Sequence, residues 1–352
     1  MQKKILFLGE TYRADAITWI NGLKEFGNFE IVTWELKTKG DGISQLKRIF
    51  EFCIAVFEIK KIAKAQEVNM IIAERTTSYG FLAALSGVKP IAIAQQGSTD
   101  IWPANSPFNF FKKILQNFAF KKATLIHAWG PVMAEDMISQ KVDMSKVLIL
   151  PKGINLSQFE FKKTLQNTKI EAIVTRSLQP EYKHDVILKA FSILKSQQVP
   201  FHLTIVGGGF LLENLIELTK KLDLENEVTF TGKIDNTVLP NLLQKSIIYI
   251  SMPTTEGVSA SLFEAMASGS FPIVTNLPGN KSWIKHEING VLVPTEDEKA
   301  LAKSIVWAFK NNEIRQKAIV NNRTFVEQNA NYSKNMKIIS DKYHELINQH
   351  IQ

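Results

Sequence analysis

Two carboxylates, Glu256 and Glu264, stand eight residues apart in the segment Ser251–Trp283, SMPTTEGVSASLFEAMASGSFPIVTNLPGNKSW. An apolar run ends at Ile250, and Glu256-Gly257 then lie in a turn-rich loop. Ser259 is placed to cap a helix running to Ser268, and Gly269 to end it. The unpaired N–H groups around Val258 and Ser259, with the positive end of the helix dipole, make an anion site. Gly257 lets the backbone come close to that anion, and a diphosphate fits the description. A carboxylate accepts two hydrogen bonds from vicinal hydroxyls, so one glutamate can grip a sugar ring and the other a ribose.

Cations stand ready for the same anion. Arg176 follows an apolar run in Val174-Thr175-Arg176-Ser177-Leu178-Gln179-Pro180-Glu181-Tyr182-Lys183, and Lys183 comes seven residues later. Breaking a sugar–phosphate bond leaves a diphosphate whose growing charge needs stabilising, by Arg through paired contacts and by Lys as a point charge. Gly207-Gly208-Gly209 sits between an expected strand and an expected helix, which on its own also describes a tight turn. No Asp-x-Asp occurs, so no carboxylate pair of that kind is offered to a metal ion, and the six histidines show no metal-ligand spacing. Glu296-Asp297-Glu298 reads as acidic charge at a helix N-terminus. Cys53 falls in an apolar helical pattern with no histidine partner, so thiol catalysis is not expected.

The run Glu256, Glu264, Ala265, Met266, Ala267, Ser268, Gly269, continued by Pro278, Gly279, Asn280 and Trp283, resembles glycosyltransferase family 4, retaining enzymes of the GT-B fold. The likeness is good over residues 145–325 and architectural before them. It implies that Glu256 holds donor-sugar hydroxyls, that Glu264 holds the ribose, and that Arg176 and Lys183 serve the diphosphate. The family's lysine usually lies five residues after the arginine, a place taken here by Glu181. Gly207 and Gly208 then match a Gly-x-Gly loop near the nucleotide, and Phe230-Thr231-Gly232-Lys233 a segment whose backbone meets the base. On the acceptor side, Gly9 and Arg13 match a loop facing the donor phosphates and the acceptor, Arg13 being equally able to pair with Asp15. Gln95-Gln96-Gly97-Ser98-Thr99-Asp100 resembles a His-Gly-x-Asp segment with Gln96 in the histidine's place, and Asp100 either orients the site or caps a helix. No metal and no cofactor beyond the nucleotide-sugar are implied.

Short apolar runs alternating with helical patterns predict βαβ units and parallel sheets. Strands are expected near Lys4–Leu8, Phe29–Thr33, Asn69–Ala73, Pro90–Ala94, Leu125–Ala128 and Val147–Leu150. A second series is expected near Glu171–Thr175, His202–Val206, Val228–Phe230, Ile247–Ile250, Pro272–Thr275 and Gly290–Val293. Asp15–Phe26 and Pro107–Phe120 are the clearest early helices, and Tyr332, Met336, Ile339, Tyr343 and Ile347 mark an amphipathic last one. The polar stretch Leu156–Lys169 reads as a linker. The expected architecture is α/β, two Rossmann-like domains facing a central cleft. Residues 1–155 with helix 333–352 form the acceptor-side domain, and 156–332 the nucleotide-sugar domain.

A chain of 352 residues with 45% hydrophobic and 22% charged residues suits two folded domains and leaves little room for disorder. The lone cysteine excludes an internal disulfide framework and fits a reducing compartment. The opening residues read as a strand rather than a signal peptide, and no stretch is apolar enough for a membrane span. A cytoplasmic protein is expected, with peripheral contact to the inner face of the cell membrane. Residues 1–168 carry 22 Lys and Arg against 15 Asp and Glu, nearly all of the net +8. With that bias, Asn109–Lys122 and Leu46–Lys64 suit an anionic interface, although a helix covering its own sheet needs the same apolar stripe. No nucleic-acid motif accompanies the charge. The expected activity is transfer of a sugar, with UDP the favoured carrier, to a glycan or lipid-linked sugar of cell-surface polysaccharide. A nucleotide-sugar epimerase or phosphorylase of the same fold, or a non-catalytic nucleotide-sugar-binding subunit, remain as alternatives.

Overall fold

In the computed structural model the described residues are 2–37, 44–95, 109–161 and 168–351. They divide into two compact units, the first made of Met1–Lys152 with Tyr332–Gln352 and the second of Gly153–Asn331.

The first unit is built on β1 (Lys4–Leu8), β2 (Glu30–Trp34), β3 (Met70–Glu74), β4 (Ile91–Gln95), β5 (Leu125–Ala128) and β6 (Val147–Ile149). The second is built on β7 (Ile170–Thr175), β8 (Phe201–Val206), β9 (Val228–Gly232), β10 (Ile248–Ser251), β11 (Phe271–Thr275) and β12 (Val291–Val293). Both sheets are parallel throughout, which explains why their strands read as unbroken apolar runs rather than alternations: helices cover both faces. β3, β4 and β11 are buried from end to end. The strand order is β2-β1-β3-β4-β5-β6 in one unit and β12-β11-β10-β7-β8-β9 in the other. The order therefore reverses between β1 and β3, and between β7 and β10. Beyond the carboxyl ends of strands at such a reversal, neighbouring loops diverge and leave room for a ligand.

Every stretch read as a strand is one, with ends displaced by no more than two residues. The last helix, Tyr332–Ile351, packs on the first unit with Met336, Ile339, Tyr343 and Ile347 fully buried. The Tyr343 hydroxyl lies 2.6 Å from His127 Nε2, and the Tyr332 hydroxyl donates to the Thr18 carbonyl at 2.7 Å. Burial pushes the His127 imidazole down to about 3, so it is neutral at any ordinary pH.

Three readings need amendment. The polar stretch after Leu156 belongs to the second unit, because Phe159 is buried in that unit's core and its carbonyl accepts from Arg323 at 2.5 Å; residues 162–167 lie outside the described ones. Cys53 lies on the Ser44–Ala65 helix as its pattern suggests, but on the exposed side; Ala55, Ile59 and Ala63 face the core. The Pro107–Phe120 helix is described as Asn109–Lys122, and its two ends behave differently. Ala119 and Phe120 are buried, whereas Phe110 and Phe111 are 70% and 61% exposed. The core reading of this segment thus holds for its C-terminal end, while its first turn is open to solvent.

Candidate functional site

In the second unit, Arg176 follows β7 and Glu256 follows β10, on either side of the reversal in strand order. The two side chains form an ion pair, with only 14% and 12% of each exposed. The guanidinium is held from several directions. Its Nε donates to Ser251 Oγ at 3.2 Å, its Nη2 donates to Ser259 Oγ at 2.8 Å, and its carbon lies 5.0 Å from the Tyr182 ring centroid. A guanidinium so tethered loses little freedom when an anion arrives.

Ser259 has a double task. It caps the Ala260–Ser268 helix, accepting from the Leu262 N–H at 3.3 Å, and the same oxygen takes the Arg176 hydrogen bond. Gly269 ends that helix in the left-handed conformation, as its position suggests. The loop carrying Glu256 and Gly257 is pressed against the Pro278-Gly279-Asn280 turn. A Cβ on Gly279 would lie 2.2 Å from the Glu256 carbonyl oxygen and 2.8 Å from that of Gly257, so only glycine fits. Asn280 is buried and donates to the Thr275 carbonyl at 2.8 Å, fixing that turn to the end of β11. Val258 is half-buried and packs on the second unit's core.

Glu264 lies on the Ala260–Ser268 helix, in the field of Arg176. Burial pushes its carboxyl up to about 7, and the Arg176 charge offsets only part of that. The glycine loop comes to the same place by backbone packing. Gly207 has φ +139° and would set a Cβ 2.4 Å from the Arg176 carbonyl oxygen, so its lack of a side chain is what lets the two loops touch. Gly208 accepts from the Leu178 N–H at 3.0 Å and lies under the Lys233 side chain, while Gly232 accepts from the Gly207 N–H at 3.0 Å. Arg176, Glu256, Ser259, Glu264, Gly207, Gly208, Gly232 and Lys233 are thus linked in one neighbourhood of the second unit. The Lys183 ammonium pairs with Glu296 at 2.6 Å. That engages Glu296, so of the three acidic residues there Asp297 serves as the cap, accepting from the Ala300 N–H at 2.8 Å, and Glu298 occupies the first turn.

Sequence reasoning passed over three residues of this neighbourhood. Ser251 is a small polar residue ending an apolar strand, a signal that was there to be read. Tyr182 and His184 carry no such mark. His184 is buried beside Arg176, and burial pushes its imidazole down to about 4, so it places no second positive charge there.

In the first unit, Gly9 and Arg13 stand beyond β1, where Arg13 pairs with both Glu10 at 3.5 Å and Asp15 at 3.4 Å. Glu10, Glu74, Arg75 and Lys152, none of them singled out by spacing, lie in the same neighbourhood. A charged residue ending an apolar strand, as Glu74 does, is the signal that points there. Gln96 and Asp100 lie outside the described residues.

The family described as Glycosyl transferases group 1 matches residues 157–325. An uncharacterised glycosyltransferase of Methanocaldococcus jannaschii is 26% identical over 68% of this chain and 63% of its own length. A UDP-Gal:α-D-GlcNAc-diphosphoundecaprenol α-1,3-galactosyltransferase of Escherichia coli is 22% identical over 83% of this chain and 79% of its own. Among solved structures, Anabaena HepE in complex with UDP superposes with a TM-score of 0.78 at 15% identity, over 98% of this chain and 100% of that one. A glycosyltransferase of Rickettsia africae gives a TM-score of 0.79 at 17% identity, over 98% and 99%. The chain therefore has the GT-B fold of two Rossmann-like units, and its residues 157–325 are a glycosyltransferase group 1 domain.

Proposed function

We propose that this chain is a retaining glycosyltransferase, of the family 4 kind, that moves a sugar from a nucleotide-diphosphate donor to a glycan or lipid-linked sugar. The observation that carries the reading is the Arg176 guanidinium, fixed by Ser251, Ser259 and Glu256 next to the N-terminus of the Ala260–Ser268 helix. Charge on a departing diphosphate would be met there by fixed donors, so we assign the stabilisation to Arg176 and the helix end and require no metal. Glu256 then exchanges its contact with Arg176 for donor-sugar hydroxyls, and Glu264 takes the ribose. The acceptor attacks on the face the leaving group departs from, and a phosphate oxygen takes its proton. UDP is the favoured carrier, supported by the UDP named with Anabaena HepE and the UDP-galactose named for the E. coli relative.

Thermal-shift measurement with UDP-, GDP-, ADP- and dTDP-sugars tests this. A donor at a hundred times its Kd stabilises the fold by about 2.7 kcal/mol. A shift with UDP-sugars, unaffected by EDTA, and a transfer product keeping the donor's anomeric configuration, are expected. The absence of a shift with every nucleotide-sugar, or an inverted product, would overturn the reading.

We also propose that the first unit rests on an anionic lipid surface. No helix among the described residues is long and apolar enough to cross a membrane. Phe57, Phe110 and Phe111 are 74%, 70% and 61% exposed, and Lys60, Lys61, Lys64 and Lys113 are exposed on the same two helices. Burying one phenylalanine is worth roughly 1.5–3 kcal/mol, so Phe110→Ser with Phe111→Ser lowers co-sedimentation with phosphatidylglycerol vesicles by at least about tenfold. Equal sedimentation of the variant, or equal binding to phosphatidylcholine, would remove the membrane role.

A further inference from the structure

The second unit holds a pocket of about 280 Å³ that shares no lining residue with the Arg176, Glu256 and Glu264 neighbourhood. It lies between the start of the His184–Ser196 helix and the Leu212–Lys221 helix, with apolar walls from Pro180, Leu211, Leu215 and Leu218. A cavity of about 150 Å³ already holds a benzene, so this one has room for a single substituted ring.

Its polar lining is unusual in one respect. His184 is 1% exposed, and among the described residues neither of its ring nitrogens meets a hydrogen-bond partner. Native folds seldom leave a buried polar group unpaired without a use for it. Burial keeps this imidazole neutral, so it presents one N–H and one lone pair, which is what a hydroxyl answers. The two charged residues of the lining are already matched, Lys183 by Glu296 at 2.6 Å and Asp185 by Lys189 at 2.9 Å. An ion entering the pocket would shed water and find no free counter-charge there, whereas a neutral molecule faces no such cost.

One wall of the pocket, made by Gln179, Pro180, Lys183 and His184, belongs to the connection that follows Arg176. The same connection carries Tyr182, whose ring centroid lies 5.0 Å from the Arg176 guanidinium, and Glu181, whose carbonyl accepts from the Thr254 N–H at 2.8 Å. It is tightly wound: the Tyr182 N–H donates to the Gln179 carbonyl at 3.1 Å, and Lys183 turns the chain at φ +49°. That wall therefore cannot shift without moving Tyr182 and the support of the Glu256 loop.

We infer that this pocket is an effector site for a small uncharged ring bearing a hydroxyl, with His184 meeting the hydroxyl and the leucines the ring. A ligand that binds there holds the Gln179–His184 connection, and with it Tyr182 and Thr254, in one arrangement. The inference rests on the transferase reading only in naming Arg176 and Glu256 as the groups that are steadied.

Titration of the full chain with para-cresol, followed by proton–nitrogen correlation NMR, tests it, with toluene and para-toluate as comparisons. The amides of Gln179, His184 and Asn214 are expected to move with a Kd on the order of 1 mM, and the Thr254 amide to move with them at the same Kd. Toluene lacks the hydroxyl and para-toluate carries a charge, so each binds at least about tenfold more weakly. His184→Phe keeps a ring but drops both nitrogens; it weakens para-cresol by about tenfold and leaves toluene unchanged. Leu218→Trp, at a half-buried position, fills the pocket and abolishes binding, and it decides the matter if His184→Phe does not fold. Still lining amides, which would mean that the pocket holds water only, overturn the proposal. So do equal binding of toluene or para-toluate, binding that survives Leu218→Trp, and movement of the lining amides without Thr254. UDP added to the same samples reads the candidate donor site separately; its failure to bind counts against the transferase reading, and the para-cresol result decides this one.

Discussion

Glu256→Ala lowers kcat/KM for sugar transfer by about a hundred- to a thousandfold while the folded chain persists, on the scale of losing one preorganised polar contact in an active site. The Glu256 side chain is largely covered and paired with Arg176, so alanine removes both a group for sugar hydroxyls and the counter-ion of a guanidinium that is itself largely buried. Arg176→Ala costs about 3 kcal/mol of transition-state stabilisation by the same measure. Because each residue is the other's partner, the double variant loses less than the two single losses combined. Steady-state kinetics on the four proteins, with circular dichroism to check folding, makes the measurement. Near-normal kcat/KM in either folded single variant, or fully additive losses, would show that the pair does not act as one unit.

Glu264→Gln stabilises the ligand-free chain above neutral pH and at the same time weakens nucleotide binding. Its carboxyl is pushed up to about 7 from an ordinary 4.5, first by burial and against the pull of Arg176. A raised acid holds its proton more tightly when folded. Its contribution to stability is therefore fully present below pH 4.5 and is lost as pH rises to about 7. The loss amounts to about 3 kcal/mol, from 1.36 kcal/mol per unit. Glutamine carries no charge to desolvate, so the variant melts several degrees above the parent at pH 8, and the difference shrinks toward pH 5. Hydroxyls donated by a ribose favour the carboxylate, so UDP affinity of the parent rises with pH through neutrality while that of the variant stays flat and lower. Melting curves that coincide at pH 8, or UDP affinities that coincide, would place Glu264 outside the nucleotide site.

The strands were legible because parallel sheets covered on both faces demand continuous apolar runs, and MIIAE, IAIAQ and FPIVT offer no other reading. The cap at Ser259 and the stop at Gly269 were legible because each follows from local backbone chemistry. What composition and spacing hide is contact across the sheet. Nothing in the string links Arg75 to Glu10, sixty-five positions apart, or Tyr182 to the face of Arg176, since both meetings depend on strand order. Nor does the string link Lys183 to Glu296, more than a hundred residues away, whose carboxylate pairs with its ammonium.

The Tyr332–Ile351 helix completes the unit that the chain began with, while Gly153–Asn331 is one uninterrupted stretch. Synthesis on the ribosome runs in one direction, so the second unit has all of its residues before the first has all of its own. Until Tyr343 and Ile347 emerge, the apolar ground they cover stays open to water. A chaperone that guards nascent apolar surface would thus meet the older half of this protein for longer than the younger.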